Sequence, residues 1–479
     1  MALCMISECL LLTRESTLRR PETSRGRGEV TKSLTTQLNF KLSGMMFLQY
    51  AIWGAWLPLL YPYLKNHMNF SDGDIGNMFA VGAVGAILAP FIAGQVADRF
   101  FRTERFLGLS HLLGALVVWR LASIEPGEGA VNSFLVYSLI YSLIYSPTLS
   151  LTNSLCFHHI PDRDRDFGKV RVWGTVGWIF AGILIGQHLL INYAGGDAEN
   201  ALSPEVYAGY ADAFRLSALI GAAMGLYCFL LPKTSPQSKA EDNAALAAFD
   251  EVKRQPLLTL FLLAVPISCI HQFYFVHTAG FLGKVQEKLN AEEFASSINT
   301  IFGIGGGGLM TVGQISEILV LALIPFLAAK LSRKNLLLIG LIAYALRMAI
   351  FAYAPALLGA GAMPVIILGV ALHGLCFGCF IFVAFMIVDE ECRSDIRASA
   401  QSLFNLVIVG IGTIVGSKIA TGVSNWANGD GVVAGEEWHA PFSRLFGVPM
   451  WASLVCILIL LAMYPSGSRS NKTTELDTK

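Results

Sequence analysis

Charged residues are scarce in this chain. Only 14% of its 479 residues are Asp, Glu, Lys or Arg, whereas 54% are apolar. A soluble globular protein has about 25% charged and about 45–50% apolar residues, so this chain has too few charges to cover a surface that faces water. The mean hydropathy of +0.57 agrees. The composition therefore excludes a soluble enzyme and a secreted disulfide scaffold, and it indicates a polytopic membrane protein.

Net charge, catalytic motifs and a second cysteine pair are also missing. Basic and acidic residues balance at 34 each, so nothing indicates nucleic-acid binding. Neither H-E-x-x-H nor G-x-S-x-G occurs, and the glycine run at 303–308 lacks the Lys-Ser/Thr of a phosphate loop. Cys376 and Cys379 have the spacing of a redox or metal pair, but their apolar surroundings favour small buried side chains. We therefore expect no enzyme activity, no cofactor and no metal.

Long apolar runs are abundant instead. A helix that spans a bilayer needs about 20 mainly apolar residues. Twelve stretches meet this rule, at about 42–63, 74–97, 104–123, 131–156, 170–193, 212–231, 256–282, 305–329, 335–354, 362–388, 397–425 and 446–464. The longest break, 232–255, is a linker between six-helix halves at 41–231 and 256–464, with tails at 1–40 and 465–479. This all-α organisation is typical of major facilitator transporters, whose binding site lies near the midplane between the halves.

Lys and Arg are distributed unevenly between the two sides of the predicted bundle. If both chain ends are cytoplasmic, 26 of the 34 basic residues fall in the tails, in the loops on the same side or at the adjoining edges of spans. Cytoplasmic segments carry the excess of basic residues in membrane proteins, so both ends are predicted to lie inside. In residues 1–40 the apolar stretch precedes the basic cluster, the reverse of a signal peptide, so we expect a flexible cytoplasmic tail.

Ionisable residues within the predicted spans are candidates for function, because charge is costly inside a bilayer. They are Arg120, Arg171, Arg215, Glu317, Arg347 and Lys418, with His111, His271, His277 and His373. Glu317 is the only carboxylate well inside a span, and a carboxyl in an apolar cavity tends to hold a proton. It is therefore the natural proton carrier. A structural ion pair is the alternative for Glu317, and a cytoplasmic-side anchor is the alternative for Arg171.

Helical spacing groups several polar and aromatic residues into stripes. In the fifth span, Arg171, Thr175 and Trp178 follow one another at i, i+4 and i+7. Similar spacing pairs residues in three later spans: Gln272 with Phe275, Gln314 with Glu317, and His373 with Phe377. Rings to stack on and fixed hydrogen-bonding groups suit a planar, hydroxylated ligand. Stripes that only pack helices together are the alternative.

The segment after the second span, Gly94-Gln-Val-Ala-Asp98-Arg99, fits the G-x-x-x-D-[RK] loop of major facilitators. In that loop the carboxylate can cap a helix and pair with an arginine to hold one gate state. We therefore interpret Gly94, Asp98 and Arg99 as conformational machinery and not as a binding site.

Six segments resemble the nucleoside:proton symporter family of the major facilitator superfamily. They are Phe47-Leu-Gln-Tyr-Ala-Ile-Trp-Gly-Ala-Trp56, Pro147-Thr-Leu-Ser-Leu-Thr-Asn153, Arg171-Val-Trp-Gly-Thr175, Gln314-Ile-Ser-Glu317, Leu346-Arg-Met-Ala-Ile-Phe-Ala-Tyr353 and Ile396-Arg-Ala-Ser-Ala-Gln401. The resemblance runs in order from about residue 41 to 464. It implies a twelve-helix carrier that couples nucleoside uptake to proton entry.

The resemblance also implies a substrate site. The family's nucleoside-contacting positions match residues of four spans, namely Arg171, Thr175, Trp178, Gln272, Gln314, Glu317 and Phe377. His373 occupies the place of a tyrosine of the family in the tenth span, so we include it among the expected substrate-binding residues. Proton coupling is expected at Glu317 and His373.

Three positions depart from the family pattern. The seventh-span asparagine is Phe275 here, the tenth-span tyrosine is His373, and the aspartate beside the tenth-span phenylalanine is Gly378. The lost Asn and Asp would supply groups that bond ribose or base, and the Asp is also a candidate proton carrier. Coupling is therefore expected to rest on Glu317, or partly on His373, whose ring exchanges protons near neutral pH.

The resulting prediction is a monomeric secondary active transporter for proton-coupled nucleoside uptake across the cytoplasmic (inner) membrane. Its expected partners are a nucleoside, a proton and the lipid bilayer, with no nucleic acid. The alternative is a major facilitator carrier or facilitator for another polar metabolite, such as a sugar or a modified nucleoside. A membrane enzyme would need a catalytic constellation, and a non-transporting receptor would need a signalling domain for which the tails are too short.

Overall fold

The structure is a computed structural model, and it describes residues 34–92, 102–161, 163–234, 250–289, 292–305, 308–392, 397–429 and 437–465. Within these ranges the chain is helical and contains no strand, which confirms the predicted all-α fold. Six helical stretches there are long and apolar enough to cross a membrane: Ala130–His159, Asp166–Asn192, Leu257–Leu289, Arg333–Glu391, Leu403–Asn428 and Ala440–Met463. The predicted gating-loop residues Gly94, Asp98 and Arg99 lie outside the described residues.

The long helices are labelled in chain order. They are α1 (Thr36–Trp56), α2 (Asp72–Ile92), α3 (Thr103–Leu121), α4 (Ala130–His159), α5 (Arg163–Asn192), α6 (Ala211–Cys228), α7 (Leu257–Leu289), α8 (Thr311–Lys330), α9 (Arg333–Leu358), α10 (362–391), α11 (397–428) and α12 (Ala440–Met463). Two of them are irregular, because α10 contains the π-helical segment Cys376–Phe382 and α11 contains Leu406–Ile411. Such π segments are frequent at functional sites.

Several helices begin at other residues than the apolar runs indicate, and α1 and α8 show the physical reasons. Helix α1 begins at Thr36, before the predicted residue 42, because the Thr35 side chain accepts a hydrogen bond from the Leu38 amide and caps the helix. Helix α8 begins at Thr311, after the predicted residue 305. Gly303 and Gly305 have φ values of 85° and 74°, a left-handed conformation that glycine tolerates and that keeps this segment out of the helix.

The packing of α1–α6 is repeated in α7–α12. In the first set, α1 packs on α5 and α6, α3 packs on α4 and α6, and α2 packs on α4. The same pairs occur six helices later: α7 packs on α11 and α12, α9 on α10 and α12, and α8 on α10. The described part of the chain therefore contains two helical bundles with one packing plan, the N-terminal bundle (α1–α6) and the C-terminal bundle (α7–α12).

Glycines bring the paired helices close together. A Cβ on Gly54 of α1 would lie 2.6 Å from the Trp178 Cα of α5, and a Cβ on Gly177 would lie 2.9 Å from the Phe47 Cα. At the equivalent α7–α11 crossing, a Cβ on Gly416 would lie 2.7 Å from the Cys269 Cα. Small residues permit such close approach of helix backbones, and here they fix the helices that carry the predicted stripes.

The two bundles contact each other through α2 and α11 and through α5 and α8. Several of these contacts lie where α1 ends and α2 begins, which we call the α1/α2 end. There Ser424 Oγ donates to Asp72 Oδ2 at 3.1 Å, and the Ile304 amide donates to the Gly186 carbonyl at 3.1 Å. Lys418 also bonds to Asn77 across the bundles. In this conformation the bundles are joined at the α1/α2 end.

Candidate functional site

A cavity of about 790 Å³ lies between the bundles at the α1/α2 end. Residues of both bundles line it, among them Tyr61, Asp72, His277 and Lys284. None of the eight residues predicted to bind substrate is among its lining residues. Three of those eight residues lie on α5 of the N-terminal bundle, and five lie on α7, α8 and α10 of the C-terminal bundle.

The cluster of the N-terminal bundle is built around Arg171 of α5. Its side chain is only 2% exposed, and its guanidinium lies over the Tyr50 ring of α1 at 4.1 Å from the ring centre. Nη1 and Nη2 have no hydrogen-bond partner among the described residues. The face of an aromatic ring attracts a cation, but it does not satisfy the N–H donors. Arg171 therefore keeps the N–H groups of two nitrogens for a partner that the described part of the chain does not supply.

A glycine makes room for this arrangement. A Cβ on Gly174 would lie 2.5 Å from Arg171 Nη1 and 2.6 Å from Tyr50 Cδ2. The other members of the stripe are Thr175, which is partly exposed, and Trp178, which is 7% exposed. The predicted fifth-span stripe therefore lies along the α1–α5 crossing.

The cluster of the C-terminal bundle is a chain of three buried polar residues from three helices. His373 Nε2 of α10 lies 3.3 Å from Glu317 Oε2 of α8, and His373 Nδ1 lies 3.1 Å from Arg347 Nη1 of α9. Arg347 is 0% exposed, His373 3% and Glu317 4%. Glu317 therefore pairs with His373 of its own bundle in this conformation.

The partners determine the tautomer of His373. An arginine side chain has only N–H donors, so Nδ1 must accept the hydrogen bond from Arg347. The remaining ring proton is thereby assigned to Nε2, which donates to the Glu317 carboxylate. The chain of hydrogen bonds runs from Arg347 through a neutral His373 to Glu317.

Aromatic rings surround this chain. The Tyr274 ring is stacked on the His373 ring at a centroid distance of 4.7 Å, and the His271 ring is stacked on it at 5.4 Å. Phe275 meets His373 edge-on at 6.1 Å, and Phe377 is tilted to it at 6.4 Å. These rings separate the polar chain from the rest of the bundle and limit the water around it.

Close packing of α8 on α10 sets the distance between Glu317 and His373. A Cβ on Gly374 would lie 2.5 Å from Ser316 Oγ, and Ser316 Oγ donates to the Ala371 carbonyl at 2.5 Å. The residues next to Glu317 and His373 are therefore in direct contact, which holds the two side chains within reach of each other.

The two glutamines have different surroundings. Gln272 of α7 is 4% exposed and faces α11, where its Nε2 donates to Thr413 Oγ1 at 3.4 Å and its Oε1 accepts from Ser417 Oγ at 3.4 Å. Gln314 lies one turn before Glu317 on α8 and is partly exposed. Gln272 thus joins α7 to α11 in this conformation.

Other ionisable residues of the predicted spans have structural partners or face outwards. His111 bonds to Gln49 Oε1 at 2.9 Å, and His277 bonds to the Ala420 carbonyl at 3.2 Å. Arg215 pairs with Asp212, and Arg120 is exposed. Within the described ranges no group of three or more His, Cys, Asp or Glu residues could hold a metal ion.

Three tyrosines contribute to the clusters although periodicity did not single them out. Tyr50 lies under Arg171, and the Arg347 guanidinium lies 4.2 Å from the Tyr274 ring centre and 5.1 Å from that of Tyr344. Tyrosines occur throughout the chain, so their positions alone carry little signal. A buried arginine in a span is more informative, because its charge requires aromatic or acidic neighbours.

Gly378 lies where α10 packs on α8. A Cβ at this position would lie 2.7 Å from Val320 Cγ1. The neighbouring helix therefore occupies the space that the aspartate of the family pattern would need. The glycine at position 378 leaves room for the Val320 side chain.

Replacing Gly378 by aspartate is expected to destabilise the protein by about 1–3 kcal/mol, because overpacking a tight contact strains it and because the carboxylate would be buried. Truncating Val320 to alanine in the same protein should recover part of this loss. The melting temperature of the purified protein in detergent measures both effects. If the Gly378→Asp variant were as stable as the wild type, α8 and α10 would not be closely packed at this position.

The family model described as Nucleoside H+ symporter matches residues 36–467 of this chain. The YegT protein of Escherichia coli K12, which bears the name of a nucleoside transporter only provisionally, is 32% identical over 393 residues, covering 79% of this chain and 83% of that protein. The xanthosine permease of the same organism is 28% identical, covering 87% of this chain and 94% of the permease.

Solved structures with a similar fold include crystal structures of the nucleoside transporter NupG. A mutant form superposes with a TM-score of 0.73 at 24% identity and covers 89% of this chain and 100% of that chain. A second structure of NupG gives a TM-score of 0.70 at 23% identity, with 89% and 99% covered. At this identity the superpositions establish a shared fold.

Proposed function

The chain belongs to the nucleoside H⁺ symporter family, and from this membership we propose that it carries nucleosides into the cell together with protons. It is a transporter and not an enzyme. Within the chain, the observation that supports the proposal most is the buried Glu317, linked to His373 at 3.3 Å. A carboxylate is costly inside a membrane, so a buried carboxyl in a span is a candidate carrier of a proton.

We propose a topology of twelve spans, formed by α1–α12, in the cytoplasmic (inner) membrane. Both chain ends lie in the cytoplasm. The halves are 41–231 and 256–464, and residues 232–255 join them. The unequal distribution of Lys and Arg supports this orientation. The α1/α2 end then faces the outside. Because the bundles are joined at that end, we assign this conformation to a state closed to the outside.

Substrate is proposed to bind between the Arg171 cluster and the Glu317 cluster. The unpartnered Arg171 donors suit hydroxyl or carbonyl oxygens of a nucleoside, and the rings of Trp178 and Phe377 suit its base. In the state closed to the outside Phe377 is only 1% exposed, so a change of conformation has to uncover it before it can stack on a ligand.

Uptake of labelled uridine, adenosine and glucose by cells that produce the protein tests this proposal. Nucleoside accumulation that a protonophore abolishes is the expected result. Accumulation of glucose alone would contradict the assignment of substrate class, and nucleoside uptake that ignores both pH and protonophore would identify a facilitator.

A second candidate function is transport of another polar metabolite, such as a sugar or a modified nucleoside. The departures at Phe275 and Gly378 favour it, because an apolar ring and a hydrogen replace two side chains that could bond ribose or base. Uptake of the glucose in the same assay distinguishes a sugar carrier from a nucleoside carrier.

Removing the Arg171 donors is expected to weaken nucleoside binding roughly tenfold to a hundredfold, since each unsatisfied polar group in a site that excludes water costs about 1–3 kcal/mol. Arg171→Ala removes the donors directly, and Gly174→Ala displaces the guanidinium from Tyr50 by occupying its space. The dissociation constant of uridine for the purified protein measures both effects.

Gly82→Ala is the matched control, because a Cβ at Gly82 of α2 has nothing within 4 Å. Its affinity should equal that of the wild type. Normal uridine binding by both Arg171→Ala and Gly174→Ala would place the site elsewhere.

A further inference from the structure

Arg347 is a fully buried cation, and only some of its N–H donors have a hydrogen-bond acceptor among the described residues. Nη1 bonds to His373 Nδ1 at 3.1 Å, while Nε and Nη2 have no hydrogen-bond partner among the described residues. The rings of Tyr274 and Tyr344 lie against its guanidinium at 4.2 and 5.1 Å. These rings hold the charge in place without competing for its protons, so the directed contact of Arg347 is the one to His373.

This contact restricts the chemistry of His373. The guanidinium is always protonated, and it offers only donors. A proton added to Nδ1 would face an N–H group of Arg347 and would create a second positive charge beside the first. His373 can accept a proton at Nδ1 only if it first separates from Arg347.

The other groups around His373 leave one site for a proton. From α7, His271 and Tyr274 stack on its ring, and the His271 Nδ1 bonds to Tyr344 Oη of α9 at 2.7 Å. From α8, Glu317 accepts its Nε2 proton. Glu317 is the carboxylate of this group, and a proton added to it converts an acceptor into a neutral acid without disturbing the bond between Arg347 and His373.

We infer that Arg347 is a positioning residue that keeps His373 neutral with its proton on Nε2, so that the coupling proton is taken up by Glu317 and not by His373. This inference rests on the proposed symport function. In the proton-free state the Glu317 carboxylate accepts the His373 Nε2 proton. One proton from the outside then forms a bond to a carboxylate oxygen of Glu317, and the same bond breaks when that proton leaves towards the inside.

His373→Gln tests the inference directly. A glutamine amide offers an acceptor oxygen and a donor nitrogen separated by about the distance between the two ring nitrogens, yet it does not take up a proton near neutral pH. In proteoliposomes with a pH gradient, we expect this variant still to accumulate uridine with an unchanged pH profile, at whatever uridine affinity it retains. Loss of accumulation with retained uridine exchange would show that His373 carries the proton, and would overturn the inference. His373→Leu, which removes both hydrogen bonds, is the control that should lose accumulation.

Substitutions of Arg347 test its positioning role. Arg347→Lys keeps a charged donor and is expected to retain the wild-type pH profile. Arg347→Met frees His373 Nδ1, so a second titration should enter the pH profile of uptake and disappear in Arg347→Met/His373→Gln. A merely structural role would lower uptake at every pH without changing the profile, and that result would contradict the inference.

A measurement without substrate separates this inference from the proposed function. His373 stays neutral in the folded protein, whereas a histidine of the unfolded chain binds a proton below about pH 6.5, so the melting temperature of the wild type should fall more steeply from pH 8 to pH 5 than that of His373→Gln. Melting temperatures that fall in parallel over this range would show that His373 takes up a proton in the folded protein, and would overturn the inference whether or not nucleosides are transported. Absence of nucleoside transport together with the steeper fall of the wild type would refute the proposed function alone.

Discussion

Glu317→Gln is expected to abolish accumulation of nucleosides while leaving their exchange across the membrane intact. The glutamine oxygen can still accept the hydrogen bond that His373 Nε2 donates to Glu317 at 3.3 Å, so the variant resembles the protonated carrier. It cannot release a proton, however, and movement of substrate is no longer linked to the pH gradient.

The expected magnitude follows from the gradient. If one proton moves with each substrate, a difference of one pH unit supplies about 1.4 kcal/mol and supports about tenfold accumulation. Proteoliposomes with that gradient should show about tenfold uridine accumulation for the wild type and none for Glu317→Gln, whereas exchange of internal for external uridine should persist in both.

Glu199→Gln removes an exposed carboxylate outside the long helices and serves as the control. It should accumulate uridine like the wild type. If Glu317→Gln still accumulates uridine and loses it on addition of a protonophore, another group carries the proton.

Periodicity predicts the residues on which this experiment depends, but not the partners of those residues. The spacing of Gln314 and Glu317 places both on one face of a helix, and so does the spacing of His373 and Phe377. That Arg347, from a third helix, also meets His373 follows from the close packing of α9 on α10, where a Cβ on Gly369 would lie 2.9 Å from Phe351 Cε1. A one-dimensional pattern contains no information on such crossings.

In the N-terminal bundle too, spacing predicts the functional residue but not its partner. The stripe that begins at Arg171 was predicted from spacing, whereas the Tyr50 ring below its guanidinium is reached only through the α1–α5 crossing. The resemblance to a family supplied the function, because composition and periodicity indicated only a transporter-like membrane protein. The start of α8 was predicted too early, since the apolar run includes Gly305, whose left-handed backbone is incompatible with the helix.

A reversible disulfide between Gly76→Cys and Thr421→Cys is expected to stop transport completely. A Cβ on Gly76 of α2 would lie 3.1 Å from the Thr421 Cβ of α11, close to the roughly 3.5–4.5 Å of disulfides, so a shift of a few tenths of an ångström permits the bond. The bond would hold the two bundles together at the α1/α2 end. Alternating access requires the bundles to separate there, because substrate enters between them.

Uridine uptake before oxidation, after oxidation and after reduction measures this effect. The matched control is Ala115→Cys with Gly221→Cys, whose Cβ atoms would lie 3.4 Å apart within the N-terminal bundle. Oxidation should leave transport by this pair unchanged, because α3 and α6 move together. The single-cysteine variants should be insensitive as well. If the Gly76–Thr421 pair forms its disulfide and still transports uridine, separation at the α1/α2 end is not a step of the transport cycle, and substrate must enter by another route.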